Sequence, residues 1–148
     1  MKPTLTPGLT HRLVYKVPEN KTAPYTYPES QIIASMPKVF ATGFMIVLME
    51  WVCTELLALQ LDAGEGSLGV HVDVSHLAAT PPGMTVTADA ECVEVMGPRV
   101  AFKVRAHDGI DLIGEGRHER FVVVWDKFNA RVAAKAAKMG EWRMASGE

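Results

Sequence analysis

Hydrophobic periodicity divides the chain into two regimes. Residues 42–61 are mostly strong helix formers and apolar almost all round, the pattern of a helix buried on most sides. Asp62-Ala63-Gly64-Glu65-Gly66 closes that segment, with glycine expected to supply a left-handed cap. Downstream the period drops from 3.6 to 2. In residues 68–76, Leu68, Val70, Val72, Val74 and His76 share one face, while His71, Asp73 and Ser75 share the other. After the turn Thr80-Pro81-Pro82-Gly83, residues 84–94 alternate again, with Val86, Ala88, Ala90 and Cys92 inward. Gly97-Pro98 turns the chain, and Val100, Phe102, Val104 and Ala106 line the next inner face. Asp108-Gly109 is a hairpin signal, followed by a long strand over 112–125 and a helix over 126–138. Upstream, residues 11–17 form a weak strand pattern, and the Pro-rich stretch 18–37 reads as loop with at most one helical turn. The residues after about 139 are expected to fray.

One long apolar helix and a run of strands, each apolar on one face, have a simple packing solution. The sheet wraps the helix, burying both apolar surfaces at once. The expected fold class is α+β: a hotdog fold, with an antiparallel sheet of about five strands around one buried helix, in a single domain spanning 1–148. Such a sheet leaves long edge strands and an apolar outer face that pair readily with a second copy, so a homodimer is expected.

Composition changes little. With 148 residues, 48% hydrophobic and 22% charged, the chain is long enough for one core without covalent staples. A net charge of −2 gives no reason to expect nucleic acid or an acidic membrane as partner. Cys53 and Cys92 lie in apolar surroundings, which excludes a disulfide framework and a cysteine-based zinc site and suits the cytoplasm. The first ten residues lack the apolar core of a signal peptide, and Glu50 and Glu55 interrupt the apolar run 40–61 that might otherwise span a membrane.

Three polar residues break the apolar pattern. Glu50 lies within the helix, where a carboxylate is costly unless paired or protonated; a structural ion pair and a catalytic role both account for it. His76 lies on the strand face directed at that helix, so the two together suggest a general base with its partner, or a nucleophile with its base. Thr42 opens the helix. It is either a plain N-cap or part of a site where free helix N–H groups meet a developing oxyanion. Gly69 marks a bulge or a close approach by a ligand. Lys127, Arg131, Lys135 and Lys138 recur at helical spacing and read as a solvated face. His107-Asp108 and His118-Glu119-Arg120 are too local to define a metal site, and no metal is expected.

Longer stretches carry a resemblance. Phe40-Ala41-Thr42-Gly43-Phe44-Met45, Met49-Glu50-Trp51, Gly64-Glu65-Gly66-Ser67-Leu68-Gly69, His76-Leu77-Ala78-Ala79-Thr80-Pro81-Pro82-Gly83, Ala106-His107-Asp108-Gly109 and Lys127-Phe128-Asn129-Ala130 together resemble the bacterial fluoroacetyl-CoA thioesterase family. The resemblance runs over roughly residues 9–138. It implies a hotdog homodimer that hydrolyses short acyl-CoA thioesters to free acid and CoA, with no cofactor beyond the coenzyme A of the substrate. The family's catalytic Thr, Glu and His match Thr42, Glu50 and His76, and its acyl-binding glycine and arginine match Gly69 and Arg120. Where the family's fluoroacetyl enzyme has two phenylalanines as a lid over the acyl group, Ile33 and Met36 stand here. Two other activities use the same residue types: an enoyl-thioester hydratase or dehydratase, and a non-catalytic acyl-CoA-binding module.

Overall fold

A computed structural model describes residues 1–147. Five strands form one antiparallel sheet: β1 (Thr10–Lys16), β2 (Glu65–His76), β3 (Thr85–Met96), β4 (Arg99–His107) and β5 (Leu112–Val124), in the spatial order β1-β3-β4-β5-β2. Three α-helices are present: a single turn, α1 (Gln31–Ala34), the central α2 (Thr42–Ala58) and the terminal α3 (Trp125–Ser146). The sheet curls around α2, as expected from the pairing of one apolar helix with one-sided strands. Val86, Ala88, Ala90 and Cys92 on β3, and Val100, Phe102, Val104 and Ala106 on β4, are all buried against it.

Helix α2 buries one stripe rather than most of its circumference. Met45, Leu48, Met49, Val52, Cys53, Leu56 and Leu57 enter the core at helical spacing. On the other side Val47 is 55% and Trp51 46% exposed. No glycine caps the helix. Leu59 takes the C-cap position in a right-handed conformation, the bonds Gln60 N–H to Leu57 O and Leu61 N–H to Ala58 O tighten the last turn, and Gly64, at φ 83°, turns the chain into β2 instead.

The loop 18–37 holds two 3₁₀ turns and α1. Its ends are fastened to the start of α2: Ala23 N–H bonds Val39 O, Ala41 N–H bonds Lys21 O, and Phe40 N–H bonds Thr80 O. Thr80, fully buried, donates to the Asp108 carboxylate at 2.9 Å, and the same carboxylate accepts from the Ile110 and Asp111 amides. These bonds hold together the beginning of α2 and the chain just past β2.

Three further expectations differ from the structure. The outer sheet face is not apolar. Cross-strand neighbours Arg12, Asp89, Arg105 and Glu115 alternate in charge across four strands, which makes that face a solvated one. Strand β2 is not buried along its length: it lies at the sheet edge, a bulge between Gly69 and His71 breaks its register, and Val70 and Val72 are 47% and 41% exposed. The chain after 139 continues as helix α3 to Ser146, where Gly147 closes it in a left-handed cap.

Candidate active site

Helix α2 presents Thr42 in its first turn and Glu50 two turns later. Eight residues separate them by about 12 Å along the axis and about 80° around it. They consequently have different neighbours.

Thr42 is not the N-cap. Ala41 holds that position without a side-chain cap, which frees the Thr42 hydroxyl to meet His76 Nδ1 at 2.7 Å. Met45 N–H is the first to bond back into the helix, to Ala41 O, so the amides of Thr42, Gly43 and Phe44 precede the hydrogen-bonded ladder. His76 Nε2 is buried without a hydrogen-bond partner among the described residues. Burial pushes the His76 pKa below its ordinary value, and the backbone at Ala78 offsets part of that shift. A cavity of about 410 Å³ opens here, lined by Phe40, Ala41, Thr42, His76 and Leu77 among others.

Glu50 belongs to a second cluster. An added Cβ on Gly69 would stand 2.6 Å from Glu50 Oε1, 3.1 Å from His118 Cε1 and 3.6 Å from Arg120 Nη1, so the glycine leaves room for all three side chains. Arg120 is buried and donates from Nε to Ser67 Oγ at 2.8 Å, from Nη2 to Ser67 O at 2.9 Å and from Nη1 to His118 Nε2 at 3.2 Å. These acceptors are neutral; burial lowers the Arg120 pKa, and the charge of Glu50 nearby opposes that shift. A cavity of about 390 Å³ lies over this cluster, lined by Val47, Glu50, Trp51, Thr54, Gly69 and Arg120.

Of the residues singled out from the sequence, the structure thus brings together Thr42 with His76, and Glu50 with Gly69 and Arg120. Within one chain it does not bring Glu50 into contact with His76, because the helix runs alongside β2 and carries Glu50 to Gly69, seven residues before the histidine at the strand's end. Ile33, half-buried, and Met36, exposed, flank the end of α1 and line neither cavity. His118 and Ser67 were not anticipated. The hairpin register was the available signal: Phe102 pairs with His118 and Val100 with Arg120, which puts both polar residues on the inner face. Cys53 and Cys92 are free and buried, with burial pushing the Cys53 thiol up to about 12, so neither supplies a nucleophile. Among the described residues no group of three His, Cys, Asp or Glu side chains is placed to hold a metal ion. Among the described residues no helix is long and apolar enough to cross a membrane.

The known proteins that this chain resembles form a consistent set. The fluoroacetyl-CoA-specific thioesterase (FlK) family matches residues 17–126. The fluoroacetyl-CoA thioesterase of Streptantibioticus cattleyicolor is 54% identical over 126 residues, covering 85% of this chain and 89% of that protein. A solved structure of a fluoroacetyl-CoA thioesterase superposes with a TM-score of 0.87 at 50% identity, over 88% of this chain and 97% of that one. A thioesterase-superfamily member from Thermus thermophilus superposes at 0.86 with 27% identity, over 95% and 99%. The wrapped helix, the Thr42–His76 contact and these likenesses together establish that the chain belongs to the fluoroacetyl-CoA-specific thioesterase family, within the hotdog fold.

Proposed function

We propose that this protein hydrolyses short-chain acyl-CoA thioesters to the free acid and CoA, using Thr42, His76 and Glu50 for the chemistry and Gly69 and Arg120 to hold the acyl group. The observation that carries this assignment is the Thr42–His76 hydrogen bond, which leaves a buried Nε2 unpaired beside the start of α2. With Nδ1–H donating to the Thr42 hydroxyl, Nε2 keeps its lone pair: it takes a proton from the attacking water, directly or by way of Glu50, and the imidazolium so formed passes that proton to the thiolate as the C–S bond breaks. The amides at the head of α2 polarise the thioester carbonyl, and Glu50 attacks it or draws a proton from the attacking water. The chemistry calls for no cofactor beyond the CoA of the substrate. The reaction is assigned to the cytoplasm, where CoA thioesters are made and both thiols stay reduced.

A homodimer completes this site. The Thr42–His76 pair and the Glu50 cluster lie about two helical turns apart in one chain. The surfaces left uncovered are the β2 edge at Val70 and Val72 and the outer side of α2 at Val47 and Trp51. A second copy seated there brings one chain's Glu50 to the other chain's His76, and gives Ile33 and Met36 an acyl group to cover.

Two measurements test the assignment. Thiol release from acetyl-, fluoroacetyl- and propionyl-CoA, followed with a chromogenic reagent, is expected. Loss of enoyl absorbance without thiol release would point to a hydratase instead. Mixing the inactive variants Glu50→Gln and His76→Ala should restore about a quarter of the active sites, since half the dimers are mixed and each has one intact site. No recovery on mixing refutes the shared site.

A further inference from the structure

Within that Glu50 cluster, His118 has no part in the chemistry described above. Its ring is 1% exposed, and three groups meet at it. Nδ1–H donates to the His71 carbonyl at 2.9 Å, on the bulged part of β2 that follows Gly69. Nε2 faces Arg120 Nη1 at 3.2 Å. Glu50 Oε1 lies 3.9 Å from the same nitrogen.

A guanidinium can only donate, so the nitrogen that Arg120 approaches must offer its lone pair. The carbonyl of His71 can only accept, so the other nitrogen must bear the proton. One tautomer satisfies both: a neutral imidazole with the proton on Nδ1. The nearby Glu50 carboxylate consequently faces an uncharged ring, and the contact between them is not an ion pair.

We propose that His118 is a positioning residue for the thioesterase reaction: as a neutral imidazole it ties the β2 bulge beside Gly69 to the Arg120 guanidinium and leaves the Glu50 carboxylate unpaired. This rests on the thioesterase assignment above. A second proton, on Nε2, would remove the acceptor for Arg120 and set two cations against each other. It would also give Glu50 a cationic partner and draw the carboxylate away from the substrate. The charged groups around the ring are Glu50 on α2 and Arg120 and Glu119 on β5, while β2 contributes the His71 carbonyl and β4 stands opposite with Phe102. Burial is the largest influence on the ring and resists that second proton, with Arg120 acting in the same sense.

Three readouts test the role. Nitrogen-15 NMR of the wild-type imidazoles should show His118 as the neutral Nδ1–H tautomer at pH 7; a proton on Nε2, or a cationic ring, overturns the proposal without reference to activity. His118→Leu removes both hydrogen bonds and should lower kcat about 10²-fold, the scale of a misplaced reacting group. His118→Gln returns an acceptor to Arg120 that cannot take a second proton. It should recover at least tenfold of that loss, and its rate should hold to lower pH than wild type. If the two variants melt like wild type yet are equally slow, or His118→Leu keeps the wild-type kcat, His118 is structural only. If wild-type protein releases no thiol from any acyl-CoA, the thioesterase assignment fails, while the NMR result still decides the tautomer.

Discussion

Glu50 is half-buried on an otherwise apolar stretch of helix, with its carboxylate over Gly69 and no cationic side chain in hydrogen-bond contact. A structural ion pair would have tied it to Arg120. Instead Arg120 spends its donors on Ser67 and His118. This arrangement predicts that Glu50→Gln or His76→Ala lowers kcat/KM at least ~10²-fold, as expected when an acid–base group is lost, with the fold retained. Near-wild-type thioester hydrolysis by folded Glu50→Gln protein would contradict the assigned roles. Gly69→Ala is the sharper probe. The closest contact of the new Cβ is the end of a flexible side chain, so Glu50 can swing away, and the His118 ring at 3.1 Å needs to give only slightly, so the fold should persist. Activity should drop by about 10–100-fold for a displaced carboxylate, with the melting temperature close to wild type. Full activity would show that the carboxylate need not stand where it does.

At the scale of elements, the proposed site gives α1 and its flanking turn the task of setting selectivity. The family resemblance implies that Ile33 and Met36 stand where the fluoroacetyl enzyme has two phenylalanines. A methionine adapts to the shape of varied ligands where an aromatic ring does not. The kcat/KM values for fluoroacetyl-, acetyl-, propionyl- and butyryl-CoA are therefore expected to lie within roughly 10–200-fold of one another, the range that one or two methylenes of pocket shape can produce. The double variant Ile33→Phe with Met36→Phe should widen that spread. A steep preference for the fluorinated substrate in the wild type would show that Gly69 and Arg120 carry the selectivity without the lid. The helix and strands themselves were legible in the sequence because each has one dominant period. The length of α2 was overestimated by three residues, since an apolar run continues past the point where 3₁₀ bonds replace helical ones.

For the whole molecule, two histidines link folding to pH. Burial holds His76 and His118 below their ordinary pKa, so both resist protonation in the folded state. The unfolded chain takes up those protons near the model-peptide value of about 6.5 and so binds more protons than the native state as pH falls below it. Stability should decline as pH drops through about 6.5 toward the lower native values, and should be level with respect to these groups above it. Urea midpoints at pH 7.5 and 5.5 test this: a lower midpoint at pH 5.5 is expected, and equal midpoints would mean that neither ring is held neutral by the fold. The carboxylates Asp108 and Glu119 are shifted down by their hydrogen bonds, so their contribution is lost only in a separate, more acidic range.

Local pattern alone determined the element order, the wrapped architecture and the oddity of Glu50, His76 and Thr42. Those features depend on periodicities of 3.6 and 2, which any residue-by-residue reading can follow. Partnership was decided only by the folded chain. Thr42 could have capped its own helix, and whether its hydroxyl turned to His76 depended on where the strand end came to rest, held by Thr80 and Asp108 some thirty residues further on. The alternation that made β2 look buried could foresee neither the bulge, which puts Leu68 on the face opposite Val72, nor whether anything covers the inner face. An edge position and a bulge left Val70 and Val72 exposed. His118 was in view throughout, but its meaning depends on facing Arg120, Gly69 and Glu50 at once. Three elements distant in sequence meet at that point, and short-range periodicity holds no information about such a meeting.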